Sequence, residues 1–79
     1  MSVEVLFPEV SKKDPNIEGV VATWFVGDGD QVTQGQLIAE VQVEKVDAEV
    51  YAPEGGVIKI LSNEQLPARQ SSVIAVIEN

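Results

Sequence analysis

Lys45 is the residue of this sequence whose placement most invites chemistry. It stands in a two-residue connection, Glu44-Lys45, between two runs with an apolar residue at every second position. Leu37, Ala39, Val41 and Val43 precede it, and Val46, Ala48, Val50 and Ala52 follow it. A lysine acting as Schiff-base nucleophile or general base needs its free amine, hence burial or a cationic neighbour. Lys45 instead has Glu44 and Asp47 beside it, which favour the ammonium. An exposed lysine is ordinarily only a solvated charge. What a protruding amine suits beyond that is to be the substrate of another enzyme, because a tip can enter a modifying active site without the domain unfolding.

The other chemistry is excluded or weak. There is no Cys and no His, so disulfides, thiolate metal sites, Cys nucleophiles and the Ser-His-Asp triad are absent. No catalytic or metal-ligating residue is assigned. Asp28-Gly29-Asp30 hints at a calcium loop, but the remaining EF-hand spacing is missing and a turn is the better reading. Glu40, Glu44, Asp47 and Glu49 could pair for acid/base work. Asp47 and Glu49 fall on the outward face of their strand, so a solvated acidic face or partner surface is expected instead. The net charge is −8, from 5 basic and 13 acidic residues, which repels nucleic acid and anionic membrane surfaces. No apolar run approaches a membrane span, and residues 1–4 do not read as a signal peptide.

The elements that must position Lys45 are strands. Val and Ile are abundant, and Gly and Pro punctuate at short intervals. The patterning predicts strands over 3–7, 20–26, 37–43, 46–52, 57–61 and 73–78, with short pairings near Val32 and Leu66 and no helix. Trp24 shares its alternation with Val20, Ala22 and Val26 and is expected in the core. Residues 19–24 match 56–61 at a spacing of 37, and 37–41 match 73–77 at 36. Two similar halves imply a pseudo-two-fold pair of small sheets packed face to face. In the hairpin, pairing Val43 with Val46, 41 with 48, 39 with 50 and 37 with 52 puts all eight apolar residues on one inner face. A one-residue slip would turn one set outward. Glu-Lys is a poor two-residue turn, since such turns favour Asn, Asp or Gly. A local rule broken inside a consistent pattern points to function.

Taken in order, these residues resemble a known family. Gly19-x4-Trp24, Gly29-Asp30-x-Val32-x2-Gly35-x-Leu37, Glu40-Val41-Gln42-Val43-Glu44-Lys45-Val46, Glu49-Val50-x-Ala52-Pro53-x2-Gly56-Val57 and Ile74-Ala75-x-Ile77-Glu78 resemble the lipoyl domains of 2-oxo acid dehydrogenase acyltransferases. The resemblance covers nearly the whole chain. It implies an all-β fold, a flattened β-barrel or sandwich of two four-stranded antiparallel sheets with pseudo-two-fold symmetry. It implies that residues 1–79 are one lipoyl domain of a longer multidomain acyltransferase chain, monomeric when isolated. It also implies lipoate amide-linked to Lys45, flanked by Glu44 and Val46, on a domain that catalyses nothing itself.

The implied partners are a thiamine-diphosphate-dependent 2-oxo acid decarboxylase, an acyltransferase core using coenzyme A, and the FAD-containing dihydrolipoyl dehydrogenase. A lipoate ligase or a lipoyl/octanoyl transferase would attach the cofactor. The implied setting is the cytoplasm of a bacterium or archaeon, or the mitochondrial matrix of a eukaryote. Alternatives are a biotinyl carrier domain, whose family tip reads Met-Lys-Met, and an unmodified β-sandwich interaction module. Three departures from the lipoyl pattern stand out. The tip usually reads Asp-Lys-Ala rather than Glu44-Lys45-Val46. The second half, 62–72, lacks the repeated glycine turn. Val10-Ser11-Lys12-Lys13-Asp14-Pro15 replaces the usual Gly-Glu of the first loop, which the resemblance places near the lysine.

Overall fold

The computed structural model describes all 79 residues, and every regular element is a strand. The strands are β1 (Ser2–Leu6), β2 (Glu18–Trp24), β3 (Gln31–Val32), β4 (Leu37–Val43), β5 (Val46–Tyr51), β6 (Gly56–Ile60), β7 (Pro67–Arg69) and β8 (Val73–Glu78). They form two antiparallel four-stranded sheets, ordered β1-β8-β6-β3 and β5-β4-β2-β7. Fourteen buried apolar residues fill the space between them.

The two sheets are copies of one plan. Replacing β5, β4, β2 and β7 by β1, β8, β6 and β3 converts one strand order into the other. The hydrogen bonds repeat too. Gly29 N–H donates to the Ile58 carbonyl as Gln65 N–H donates to Val21. Ala52 N–H reaches Gln36 as Phe7 N–H reaches Ser72. Asp28 accepts from the Ile60 amide at 2.8 Å, and Glu64 accepts from the Trp24 amide at 2.6 Å. The repeat read from the sequence is therefore structural. Its two spacings have a physical origin. The pairing of β2 with β4 shifts between Val21 and Thr23, whereas β6 pairs with β8 without a shift. Ala22 is the extra residue of that bulge, so the offset is 37 up to Val21 and 36 from Thr23 on. Thr23 and Trp24 therefore correspond to Lys59 and Ile60 rather than, as in the sequence match, to Ile60 and Leu61.

The bulges also correct the inward sets. The pairing of β4 with β5 shifts between Leu37 and Ala39, so Leu37 faces Tyr51 rather than Ala52. Ile38 and Ala39 are both fully buried, and Ile74 and Ala75 repeat this in β8. Of the eight residues expected inside, Ala39, Val41, Val43, Val50 and Ala52 are buried. Ala48 packs half-buried against the core, Leu37 is half-buried, and Val46 is 55% exposed beyond the core's end. In β2 the core residue is Val21, not Val20 or Ala22. The bulge then switches parity, and Trp24 and Val26 pack partly buried against the core.

The repeat carries a backbone penalty in its second half. Gly29 and Gly35 have φ of 92° and 84°. Their counterparts 36 residues on are Gln65 and Ser71, with φ of 66° and 68°. A side chain in the left-handed region costs about 1–2 kcal/mol, partly offset by the extra chain entropy that glycine would lose. Gln65 recovers some of this by donating from Nε2 to the Ala22 carbonyl, 3.0 Å away. Ser71→Gly is therefore expected to stabilise the chain by about 0.5–1 kcal/mol, raising the thermal midpoint by about 2–8 °C. Gly35→Ser should shift it the other way. Calorimetry of both variants checks the pair, and a drop for Ser71→Gly would contradict the account.

Candidate functional site

The hairpin that carries Lys45 is rooted in the core up to its last strand residue. Val43 is buried and pairs with Val46, as the alternation requires. Glu44 and Lys45 form the turn, both exposed. Glu44 has φ of 56°, so the first turn position takes the positive φ that tight hairpins need, despite lacking a suitable residue. The ladder on both sides over-determines this conformation. Val46 is exposed as well, so the amine stands on a short, stiff projection with nothing enclosing it.

A second element meets the base of this hairpin. The connection from β1 to β2 begins at buried Phe7 and returns at Glu18 and Gly19. Gly19 lies so close to β4 that a β-carbon there would strike the Gln42 carbonyl. It would also fall 2.7 Å from Val43 Cγ2 and 2.9 Å from Phe7 Cζ. Both ends of the loop thus abut the root of the lysine hairpin. Glu18 and Glu44 line one shallow depression with Gly19, Val20, Gln42 and Pro67.

The loop is held in one shape. Val10 and Ile17 pack against the core. The amide of Gln70, only 6% exposed, accepts from Ser11 N–H at 2.7 Å. It donates to the carbonyls of Ile17 at 3.2 Å and Asp14 at 3.3 Å. Arg69 donates to Asn16 Oδ1 at 3.0 Å. Lys12 and Lys13 are exposed between these anchors. The role of Gln70 is invisible to sequence patterning, because nothing in residues 62–72 marks one glutamine as buried.

The carboxylates fall into two groups. Asp47 and Glu49 are exposed on β5, outward as expected. Glu49 stands opposite Glu40 on β4, a like-charge pair that costs stability. Glu49 also accepts a 2.6 Å hydrogen bond from the Tyr51 hydroxyl, which holds that phenol above its ordinary pKa. Asp28 and Asp30, by contrast, serve the backbone: Asp30 accepts from Gly27 N–H at 2.7 Å and Asp28 from Ile60. They make a turn. Trp24 lies away from the tip, opposite Ala39, and its indole donates to the Ser62 carbonyl at 2.9 Å.

A family model described as "Biotin-requiring enzyme", for biotin and lipoyl attachment, matches residues 3–77. The chain belongs to the biotin/lipoyl attachment family. Among solved structures it is similar to the lipoyl domain of the 2-oxoglutarate dehydrogenase complex from Azotobacter vinelandii. The TM-score is 0.78 at 27% identity, covering 98% of this chain and 96% of that one. Among curated proteins it is 36% identical over 75 residues to the dihydrolipoyllysine-residue succinyltransferase component of a Staphylococcus saprophyticus 2-oxoglutarate dehydrogenase complex. That match covers 94% of this chain and 17% of the relative. It is 34% identical to the acetyltransferase component of the Rickettsia conorii pyruvate dehydrogenase complex, covering 98% of this chain and 19% of that one. It is also 39% identical over 59 residues to a Rhizobium meliloti pyruvate dehydrogenase E1 component subunit beta, covering 73% of this chain and 12% of the relative. The chain therefore spans under a fifth of the length of these relatives. Family and fold both place the chain with lipoyl-type attachment domains, which are carrier domains.

Within this lipoyl-type domain, Gly19 is the contact on which hairpin and loop both rest. Gly19→Ala should cost about 1–3 kcal/mol by overpacking against a carbonyl and two buried side chains. Substituting alanine at exposed Glu9 should move stability by less than about 0.5 kcal/mol. Urea titration of both variants reads the difference.

Proposed function

We propose that Lys45 is joined through Nζ to the carboxyl carbon of lipoate, and that the domain presents this arm to successive enzymes of a 2-oxo acid dehydrogenase complex. The observation that carries the reading is the lysine itself, exposed at the turn of a core-rooted hairpin in a chain of this family. The surroundings fit such a group: the turn has no walls to clash with an extended acyl chain. When bound, lipoate supplies a dithiolane whose thiol and thioester exchange carries acyl groups and electrons.

The chain's own part is presentation. Val43 and Val46 fix the turn, Glu44 orients it, and Lys45 supplies the amine. The loop anchored at the hairpin base offers a surface beside it. Tethering makes each encounter effectively intramolecular, raising local concentration without new contacts. In this reading a thiamine-dependent decarboxylase loads the arm, an acyltransferase core unloads it to coenzyme A, and a flavoprotein dehydrogenase reoxidises it. The parent chain is then an acyltransferase component. Similarity to an E1 subunit beta favours a second reading, in which the arm is borne on a decarboxylase subunit.

Lys45→Gln is expected to abolish the adduct, read by intact mass after expression with a lipoate ligase and lipoate, and to leave the thermal midpoint within about 2 °C. A biotin adduct, or lipoylation persisting elsewhere, would defeat the assignment.

Lys12 and Lys13 are two of only five basic residues in a chain of net charge −8. Reversing both to Glu should slow reductive acylation by the decarboxylase at low salt and leave it nearly unchanged at high salt, as expected for a rim that steers association. Equal rates at low salt would mean that these charges are not read.

A further inference from the structure

Resting on the carrier reading above, we infer that Gln70 is a positioning residue. Its buried amide holds the β1–β2 loop rigid beside the lysine hairpin, so that a partner enzyme engaging Lys45 meets a preformed surface. The symmetry of the two halves is broken at this residue. By the 36-residue repeat, the counterpart of Gln70 is Gln34, the same residue type, but Gln34 is exposed. The difference follows from the connections. The link from β5 to β6 is short, residues 52–55, whereas the link from β1 to β2 runs over residues 7–17. Both halves close a four-stranded sheet, so strand pairing alone does not call for the longer link.

Yet the long loop is tightly fixed. Gln70 is the one buried polar side chain of the molecule. Burying an amide is unfavourable unless its hydrogen bonds are replaced. All three bonds that Gln70 makes run to loop residues 11, 14 and 17. They use its side-chain oxygen once as acceptor and its nitrogen twice as donor. Phe7 at the start of the loop and Gly19 just past its end come together beside Val43 at the root of the hairpin. A connection longer than its counterpart is thus held by a buried polar clasp beside the hairpin that carries Lys45. If a partner binds the ordered loop, the apparent affinity scales with the fraction of time the loop is ordered.

The test uses the lipoylated chain, its Gln70→Leu variant, and the pyruvate- and 2-oxoglutarate-decarboxylating enzymes as probes. Three readouts separate the possibilities: lipoyl mass, hydrogen exchange at the Ser11 amide, and KM against kcat for reductive acylation. Gln70→Leu should still be lipoylated. Its Ser11 exchange should accelerate about tenfold or more. KM should rise about five- to tenfold with kcat unchanged. Reversing Lys12 and Lys13 should matter less in this background than in the original chain. Should Gln70→Leu fail to fold, Gln70→Glu keeps the shape and the acceptor for Ser11 but cannot donate to Asp14 and Ile17, and the same readouts apply. Faster exchange with unchanged KM overturns the positioning role, and unchanged exchange overturns the clasp. No acylation of the unaltered lipoylated chain by either enzyme overturns the carrier reading itself.

Discussion

The structure depends on filling one small core from two matching halves, without a disulfide. Each fully buried Val or Ile contributes about 1.5–3 kcal/mol, so a chain this short has few contacts to spare. The sheets meet this demand by placing consecutive residues, Ile38-Ala39 and Ile74-Ala75, inside at bulges. A regular strand would turn one of each pair to solvent. The bulges put more apolar volume where the sheets face each other, and they set the register of everything attached to β4 and β8. The lysine hairpin inherits its stiffness from that register.

Much of this arrangement was legible in the sequence. The strands, the repeat, the Val43–Val46 pairing and the outward Asp47 and Glu49 follow from period-two alternation. The inward placement of Ile38, the parity switch in β2 and the pairing of Leu37 with Tyr51 do not, because alternation assumes an unbroken pleat. Positive φ falls on glycine, without a side-chain penalty, at Gly29 and Gly35. At Glu44, Gln65 and Ser71 it is imposed by the surrounding ladder against local preference. The clasp of Gln70 depends on partners 53 to 59 residues away, a relation that no local pattern encodes.

The candidate site illustrates a division between what is rigid and what is exposed. Most charged residues here lie on outer faces, and most carry no chemistry. Lys45 differs because the chain on both sides of it returns at once to the ladder, while the residue itself is exposed. A group that must visit several active sites gains from this combination: a fixed origin and a free reach. The acidic outer face, including the unfavourable Glu40–Glu49 pair, shows that this surface is not arranged for stability alone.

The contact between the chain's two ends has a topological meaning. Met1 and Asn79 exchange main-chain hydrogen bonds at 3.0 Å in each direction. By the repeat, that pair occupies in its sheet the place that Val43 and Val46 occupy in the other. The ends therefore meet where the other half has its lysine turn. In effect the eight strands form a ring, opened at one of two equivalent corners. Closing the existing gap with a two-residue turn and opening the ring between Glu44 and Lys45 would yield a circular permutant with the same sheets. Its lysine would then sit at a terminus, no longer held from both sides.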